Sequence, residues 1–167
     1  MKTFPNLLVL LCVVFLTSAV VPPAKGYKYS SKEGKMTVSF PSEYEVTTTD
    51  AESAVTVKVS AVEGERTYFA SYTLHDTPLS DREGLAQVSL DSFNETLKGT
   101  IINQSTWSLK GQKGLYAKIT IPDLDAKIDY HVILVGQIQY QLVVLATQPQ
   151  WDQKKADAFV KSFKMMK

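Results

Sequence analysis

Residues 127–147 read KIDYHVILVGQIQYQLVVLAT. Two apolar, β-branched and aromatic runs are split there by Gly136-Gln137. A glycine opening a two-residue loop suits a type II′ turn, whose twist matches that of the antiparallel strands it joins. The stretch is therefore expected to form the central hairpin of a sheet. Ile133, Val135, Tyr140 and Leu142 fall on one face of it, and Val132, Leu134 and Val143 on the other. A sheet that is apolar on both faces at its middle needs a cover on each side.

The flanking sequence supplies two such covers. After Pro149, the residues Ala156, Phe159, Val160 and Phe163 recur at helical spacing and predict a short amphipathic helix. Earlier, Ser80-Asp81-Arg82-Glu83 has the form of a capping box, and Ala86, Leu90, Phe93 and Leu97 follow with the same period. With Gly99 placed as a C-cap glycine, the spacing predicts a helix over residues 81–98.

The remaining segments read as strands. Residues 36–40 alternate and stop at Pro41, which cannot donate to a ladder. Over residues 54–62, Val55, Val57, Val59 and Ala61 alternate with Thr56, Lys58 and Ser60, giving one wet face. Glu63-Gly64-Glu65 turns the chain, and Tyr68, Ala70, Tyr72 and Leu74 share one face of the returning strand. Residues 100–109 and 115–121 are further strands, separated by a loop over 110–114. Together these segments imply an α+β domain: an antiparallel sheet of about six to seven strands flanked by two helices. No repeat, low-complexity tract or linker divides it.

The N-terminus has a different character. Met1-Lys2, the apolar run over residues 7–16 and the small residues that follow read as a secretory signal peptide, with cleavage expected after residue 19 or 26, the competing reading being an uncleaved N-terminal anchor. The domain then covers residues 27–167, its location periplasmic or secreted, with no membrane span once the signal is removed. The only cysteine, Cys12, lies inside the apolar run, so the mature chain has no thiol for a disulfide, a metal or a nucleophile. The formal charge is +1, and loss of Lys2, with or without Lys25, leaves it at or one unit below zero. That balance lacks the basic field that nucleic-acid binding needs. With 44% hydrophobic and 10% aromatic residues the chain has the composition of a packed domain rather than a disordered one.

Three places carry a family resemblance. They are Phe40-Pro41 with Tyr44 after it, the glycine-turn hairpin over residues 135–142, and the closing run Phe159-Val160-Lys161-Ser162-Phe163. In these and in its order of elements the chain resembles the PsbP/DcrB-like superfamily of exported α/β/α sandwich domains. The resemblance implies an accessory or scaffold protein, since such members include extrinsic photosystem subunits and periplasmic lipoproteins. It implies no catalytic residues and no cofactor. The chain departs from the lipoprotein members in lacking a lipid-attachment cysteine.

Several residues are candidates for chemistry. Asp129 and His131 stand two apart on one strand, so they share a face and are candidate metal ligands; the competing reading is a strand-end pair at the sheet rim. His75-Asp76 has the residue types of an acid/base pair, or forms a turn ending at Pro78. Asp123, Asp125 and Asp129 are oxygen-rich but lack the glycine and terminal glutamate of a calcium loop. No G-x-S-x-G, phosphate-binding glycine loop or H-E-x-x-H occurs. A hydrolase using His75 or His131 with nonlocal partners is the enzymatic reading that remains.

Trp107 shares a predicted strand face with Ile101 and Leu109, which points to core packing, whereas Trp151 at a helix start is a surface candidate. Tyr68 and Tyr72 read as core residues with hydroxyls at the edge. Asn94-Glu95-Thr96 and Asn103-Gln104-Ser105 match the glycosylation sequon, which matters only in a eukaryotic secretory host. Two functions are thus expected: a non-catalytic accessory domain with a protein partner, or a carrier of a small apolar ligand. In the carrier, Tyr68, Tyr72, Tyr140 and Trp151 would contact the ligand in a cleft between helix and sheet.

Overall fold

The computed structural model describes residues 27–166. The stretch expected to be a signal peptide, with Cys12 in it, lies outside the described residues. The strands are β1 (Lys28–Ser31), β2 (Met36–Ser39), β3 (Tyr44–Ala51), β4 (Ala54–Glu63), β5 (Arg66–His75), β6 (Thr100–Leu109), β7 (Gln112–Ile121), β8 (Ala126–Val135), β9 (Ile138–Thr147) and β10 (Lys164–Met165). Helix α1 (Arg82–Thr96) separates β5 from β6, and helix α2 (Gln153–Ser162) follows β9. Short 3-10 turns occupy Pro122–Leu124 and Gln148–Gln150. No helix among the described residues is long and apolar enough to cross a membrane.

Seven strands form one antiparallel sheet in the order β3-β4-β5-β9-β8-β7-β6. The hairpin expected to be central is central. β8 and β9 pair from Val135↔Ile138 to Ala126↔Thr147, and Gly136 takes a φ of +63° in the tight turn between them. A side chain there would be strained, which is why the turn needs glycine. β4 and β5 pair around Gly64-Glu65, bringing Val57 opposite Tyr72, Val59 opposite Ala70 and Ala61 opposite Tyr68.

Period-2 alternation sorts the sheet's side chains into two cores. Val57, Val59, Ala61, Tyr68, Ala70, Tyr72, Ile133, Tyr140, Leu142 and Val144 make the first, closed by Ala156 and Phe159 of α2, by Phe163 just after it, and by Met36, Val38 and Met165 from a small second sheet. Ala117, Ile119, Ile128, Tyr130, Val132, Leu134, Val143 and Leu145 make the second, closed by Ala86 and Leu90 of α1 with Phe93 and Leu97 packed against them. Each large apolar side chain so buried contributes about 1.5–3 kcal/mol. The layers are thus helix, sheet, and helix with small sheet.

The small sheet, ordered β1-β2-β10, is the main departure from expectation. Residues 36–40 join it rather than the main sheet, and β1, β3 and β10 add strands that the apolar pattern does not mark. β10 pairs with β2 through Met165↔Met36, and the Met166 amide donates to the Lys35 carbonyl at 2.7 Å. The two ends of the described chain therefore meet over the first core.

Local details also differ. Asp81, not Ser80, caps α1, accepting from the Gly84 amide at 2.9 Å. At the other end Lys98, not Gly99, takes the left-handed turn, with φ 51°. The Gly99 amide then donates to the Asn94 carbonyl and the Lys98 amide to the Glu95 carbonyl, which is the Schellman arrangement. Gly99 is needed for room instead, because a Cβ there would come within 2.6 Å of the Ile119 side chain. The expected loop over residues 110–114 shrinks to the two-residue turn Lys110-Gly111, and β7 begins at Gln112.

Candidate functional site

Where α2 begins, a group of polar and aromatic side chains breaks the apolar surface of the main sheet. Asp129 and His131 do share a face, as the spacing requires, but they sit mid-strand in β8 and not at a rim. Both are buried, at 3% and 8% exposure. The β7–β8 register sets Tyr116 beside His131 and Lys118 beside Asp129, and the β8–β9 register sets Leu142 on the other side of His131. The opposite face of β7 carries Ala117, Ile119 and Ile121 into the second core, so alternation leaves Tyr116 and Lys118 on the first-core face.

Asp129 is fully engaged. Its Oδ1 accepts from the Tyr116 hydroxyl at 3.0 Å and its Oδ2 from the Gln153 Nε2 at 2.7 Å. Gln153, the first residue of α2, also donates to Asp157 Oδ1 at 3.0 Å and accepts from the Lys118 Nζ at 3.2 Å. Burial raises the Asp129 carboxyl above its usual range, while the bonds from Gln153 and Tyr116 pull it back down. Burial and the neighbouring carboxylate together push the Tyr116 hydroxyl up.

His131 is enclosed by rings. Tyr116 lies tilted against it at 4.6 Å and Trp107 meets it edge-on at 5.0 Å. Its Nδ1 is buried without a hydrogen-bond partner. Burial pushes its pKa down to about 4, with the Asp157 charge opposing more weakly, so the imidazole is neutral at physiological pH. Trp107 reaches on toward Phe163, with centroids 6.5 Å apart. The result is a shelf of Trp107, Tyr116, Lys118, Asp129, His131 and Gln153 beside α2. Its chemical resources are a satisfied carboxylate, a neutral imidazole, an amide and ring faces. Asp129 bonds Tyr116 and Gln153 rather than His131, and among the described residues no three His, Cys, Asp or Glu side chains gather as a metal cage would.

The other candidates lie apart from the shelf. Tyr68, Tyr72 and Tyr140 are buried in the first core. The Tyr68 hydroxyl donates to Glu63 at 3.2 Å, the Tyr72 hydroxyl accepts from Ser31 at 3.1 Å, and the Tyr140 ring meets Phe163 at 5.4 Å. Burial pushes Tyr68 and Tyr140 up to about 12. Trp151 is half-buried against the same core.

His75 ends β5, and the turn after it rests on the central hairpin: the Gln137 carbonyl accepts from the His75 amide, and the Gln137 side chain donates to the Asp76 carbonyl. Asp123 lies in a 3-10 turn, and Asp125 beyond it accepts from Gln148 at 2.8 Å. Trp107 and Ile101 do not share a face as alternation predicts, because a bulge between Ile101 and Asn103 shifts the register. Trp107 and Leu109 pack on the first core and Ile101 on the second. Of the two sequon asparagines, Asn103 is exposed on β6, while Asn94 lies in α1 with its Oδ1 buried.

No family model matches the chain, and no curated protein matches it by sequence. Solved structures do. The fold is that of an antiparallel α+β domain of the PsbP-like kind. The solution structure of cyanobacterial PsbP (CyanoP) from Synechocystis sp. PCC 6803 aligns with a TM-score of 0.60, covering 91% of this chain and 95% of that one at 13% identity. A crystal structure from Bacteroides thetaiotaomicron aligns with a TM-score of 0.43, covering 86% of this chain and 50% of that one at 12% identity.

Proposed function

We propose that this chain is an exported, non-catalytic accessory domain that binds a protein partner through the shelf beside α2. The observation that carries the reading is the composition of that shelf. A part-exposed tryptophan, tyrosine and lysine stand over a buried histidine on a rigid strand surface, and aromatic residues are enriched at the cores of protein interfaces. The carboxylate that would be reactive is held by two donors, and the imidazole stays neutral. The resemblance to PsbP/DcrB-like accessory proteins supports the same reading, and the leader read in residues 1–26 supports a periplasmic or secreted location. The carrier alternative has less behind it, since Tyr68, Tyr72 and Tyr140 are committed to packing in the first core.

The test is crosslinking in the native host with a photo-reactive group at Lys118, followed by identification of the captured protein and its titration in purified form. Trp107→Ala with Lys118→Ala is expected to weaken that binding at least tenfold while leaving the fold intact. A small molecule that co-purifies in place of any protein would overturn the reading.

A further inference from the structure

The main sheet ends in two unlike edges. Among the described residues β3 is the outer strand on one side and β6 on the other. β3 carries Glu45 and Asp50, charges of the kind that discourage edge-to-edge pairing. β6 reads TIINQSTWSL: ten residues with no charge and no proline, and with seven of them exposed. The charge that follows it is held away, because the Lys110 Nζ donates to the Met165 carbonyl at 2.7 Å. An exposed strand of this length with an unprotected edge is a template for another strand.

We infer that β6 pairs antiparallel with β6 of a second copy, joining the two main sheets into one of fourteen strands. Two-fold pairing sets a segment against itself, so any charge near the centre meets a like charge. Pairing β3 with itself about its middle would set Glu45 against Asp50 of the second copy, whereas β6 carries no charge to oppose another. The bulge after Ile101 limits regular pairing to residues 103–109. With the axis through Thr106, Asn103 faces Leu109 of the second copy, Gln104 faces Ser108, Ser105 faces Trp107, and the two Thr106 side chains meet. Threonine opposite threonine is a favourable cross-strand pair. A two-fold perpendicular to the sheet keeps both copies' first-core faces on the same side. The two Trp107 shelves then form one continuous surface, so this inference deepens the proposed protein-binding role and rests on it for its purpose, though not for its geometry.

Sedimentation velocity of the purified chain over a range of concentrations tests it, with three variants. Wild type is expected to dimerise. Thr106→Lys and Thr106→Glu are each expected to be folded monomers by circular dichroism, and an equimolar mixture of the two is expected to restore the dimer by pairing opposite charges. Thr48→Lys, at an exposed position of β3, is expected to leave the dimer unchanged. A monomeric wild type, or a dimer that survives both Thr106 substitutions, overturns the inference. If the variants fail to fold alone, recovery of a folded dimer only on mixing still supports it, and no recovery counts against it. A monomer that still binds its partner through the shelf overturns this inference while leaving the proposed function standing.

Discussion

The two faces of the main sheet are closed by different means. The second core is covered by α1, fifteen residues inserted between β5 and β6; its strand side chains are mainly aliphatic, with Phe93 packing on the rings of Tyr130 and Phe69. The first core is covered by pieces drawn from both ends of the described chain and is rich in rings. Phe40 and Tyr68 each lie within 5.4 Å of Phe159, and Tyr140 lies 5.4 Å from Phe163. The aromatic cover is also tied down by polar bonds. Lys155 meets Glu63 at 2.8 Å, Arg66 donates to the Gln150 carbonyl at 2.7 Å, and Ser162 bonds the Ser39 backbone in both directions. One face is therefore a local clamp and the other a long-range closure, and removing atoms from them should have unequal effects.

The sharpest contrast is Phe159→Ala, which removes the ring shared by α2, β5 and the small sheet. Loss of about 3–5 kcal/mol is expected, read by chemical denaturation, and the amides that pair β2 with β10 should be the first to lose protection from hydrogen exchange. An effect no larger than that of an α1 substitution would erase the distinction between the faces.

Acid should also strike the first face. The folded His131 titrates at about 4 and the ordinary value is 6.5. Between those values the unfolded chain binds more protons, so stability from this group is complete above about pH 6.5 and falls as pH drops toward 4, by about 3 kcal/mol. Asp129 acts with the opposite sign: burial raises its carboxyl, so its contribution weakens the fold as pH rises above the ordinary carboxylate value. His131→Phe should flatten the loss between pH 6.5 and 4 in thermal melts. An unchanged pH profile would remove His131 as its source.

On the other face, Leu90→Ala should cost about 2–3 kcal/mol, because α1 is bordered by half-exposed Leu85 and by solvent and can settle into the space. The smallest test compares the two helix caps. Asp152 accepts from both the Lys154 and Lys155 amides, whereas Asp81 accepts from Gly84 alone. Each substitution to alanine should cost about 1 kcal/mol, the Asp152 change being the greater. A reversed order in melting temperature would show that α2 is anchored by packing and not by its cap.

How much of this was legible in the sequence follows from burial. The central hairpin, the β4–β5 pair and both helices were readable because an apolar face with a regular period must be hidden. β3 was not, since its exposed edge lets Glu45, Thr47 and Asp50 interrupt alternation, and β10 is two residues long. The small sheet depends on β1, β2 and β10 meeting across most of the chain, which no local pattern encodes. At the shelf, period 2 placed Asp129 with His131. Tyr116 and Lys118 follow from the same alternation once β7 is paired with β8, but Gln153 and Trp107 arrive by helix docking and by a bulge that reverses the strand's facing.

The meeting of β2 with β10 has a consequence for the order in which the molecule is made. A polypeptide leaves the ribosome from its N-terminus, and residues 36–40 must wait until residues 156–165 exist before their face is covered. The hairpins and α1 can form during synthesis, but the ring-lined side of the sheet stays open until then. Premature release, or a stop codon anywhere before Phe159, would therefore leave a product with native hairpins, a sticky aromatic surface and a ready target for proteases.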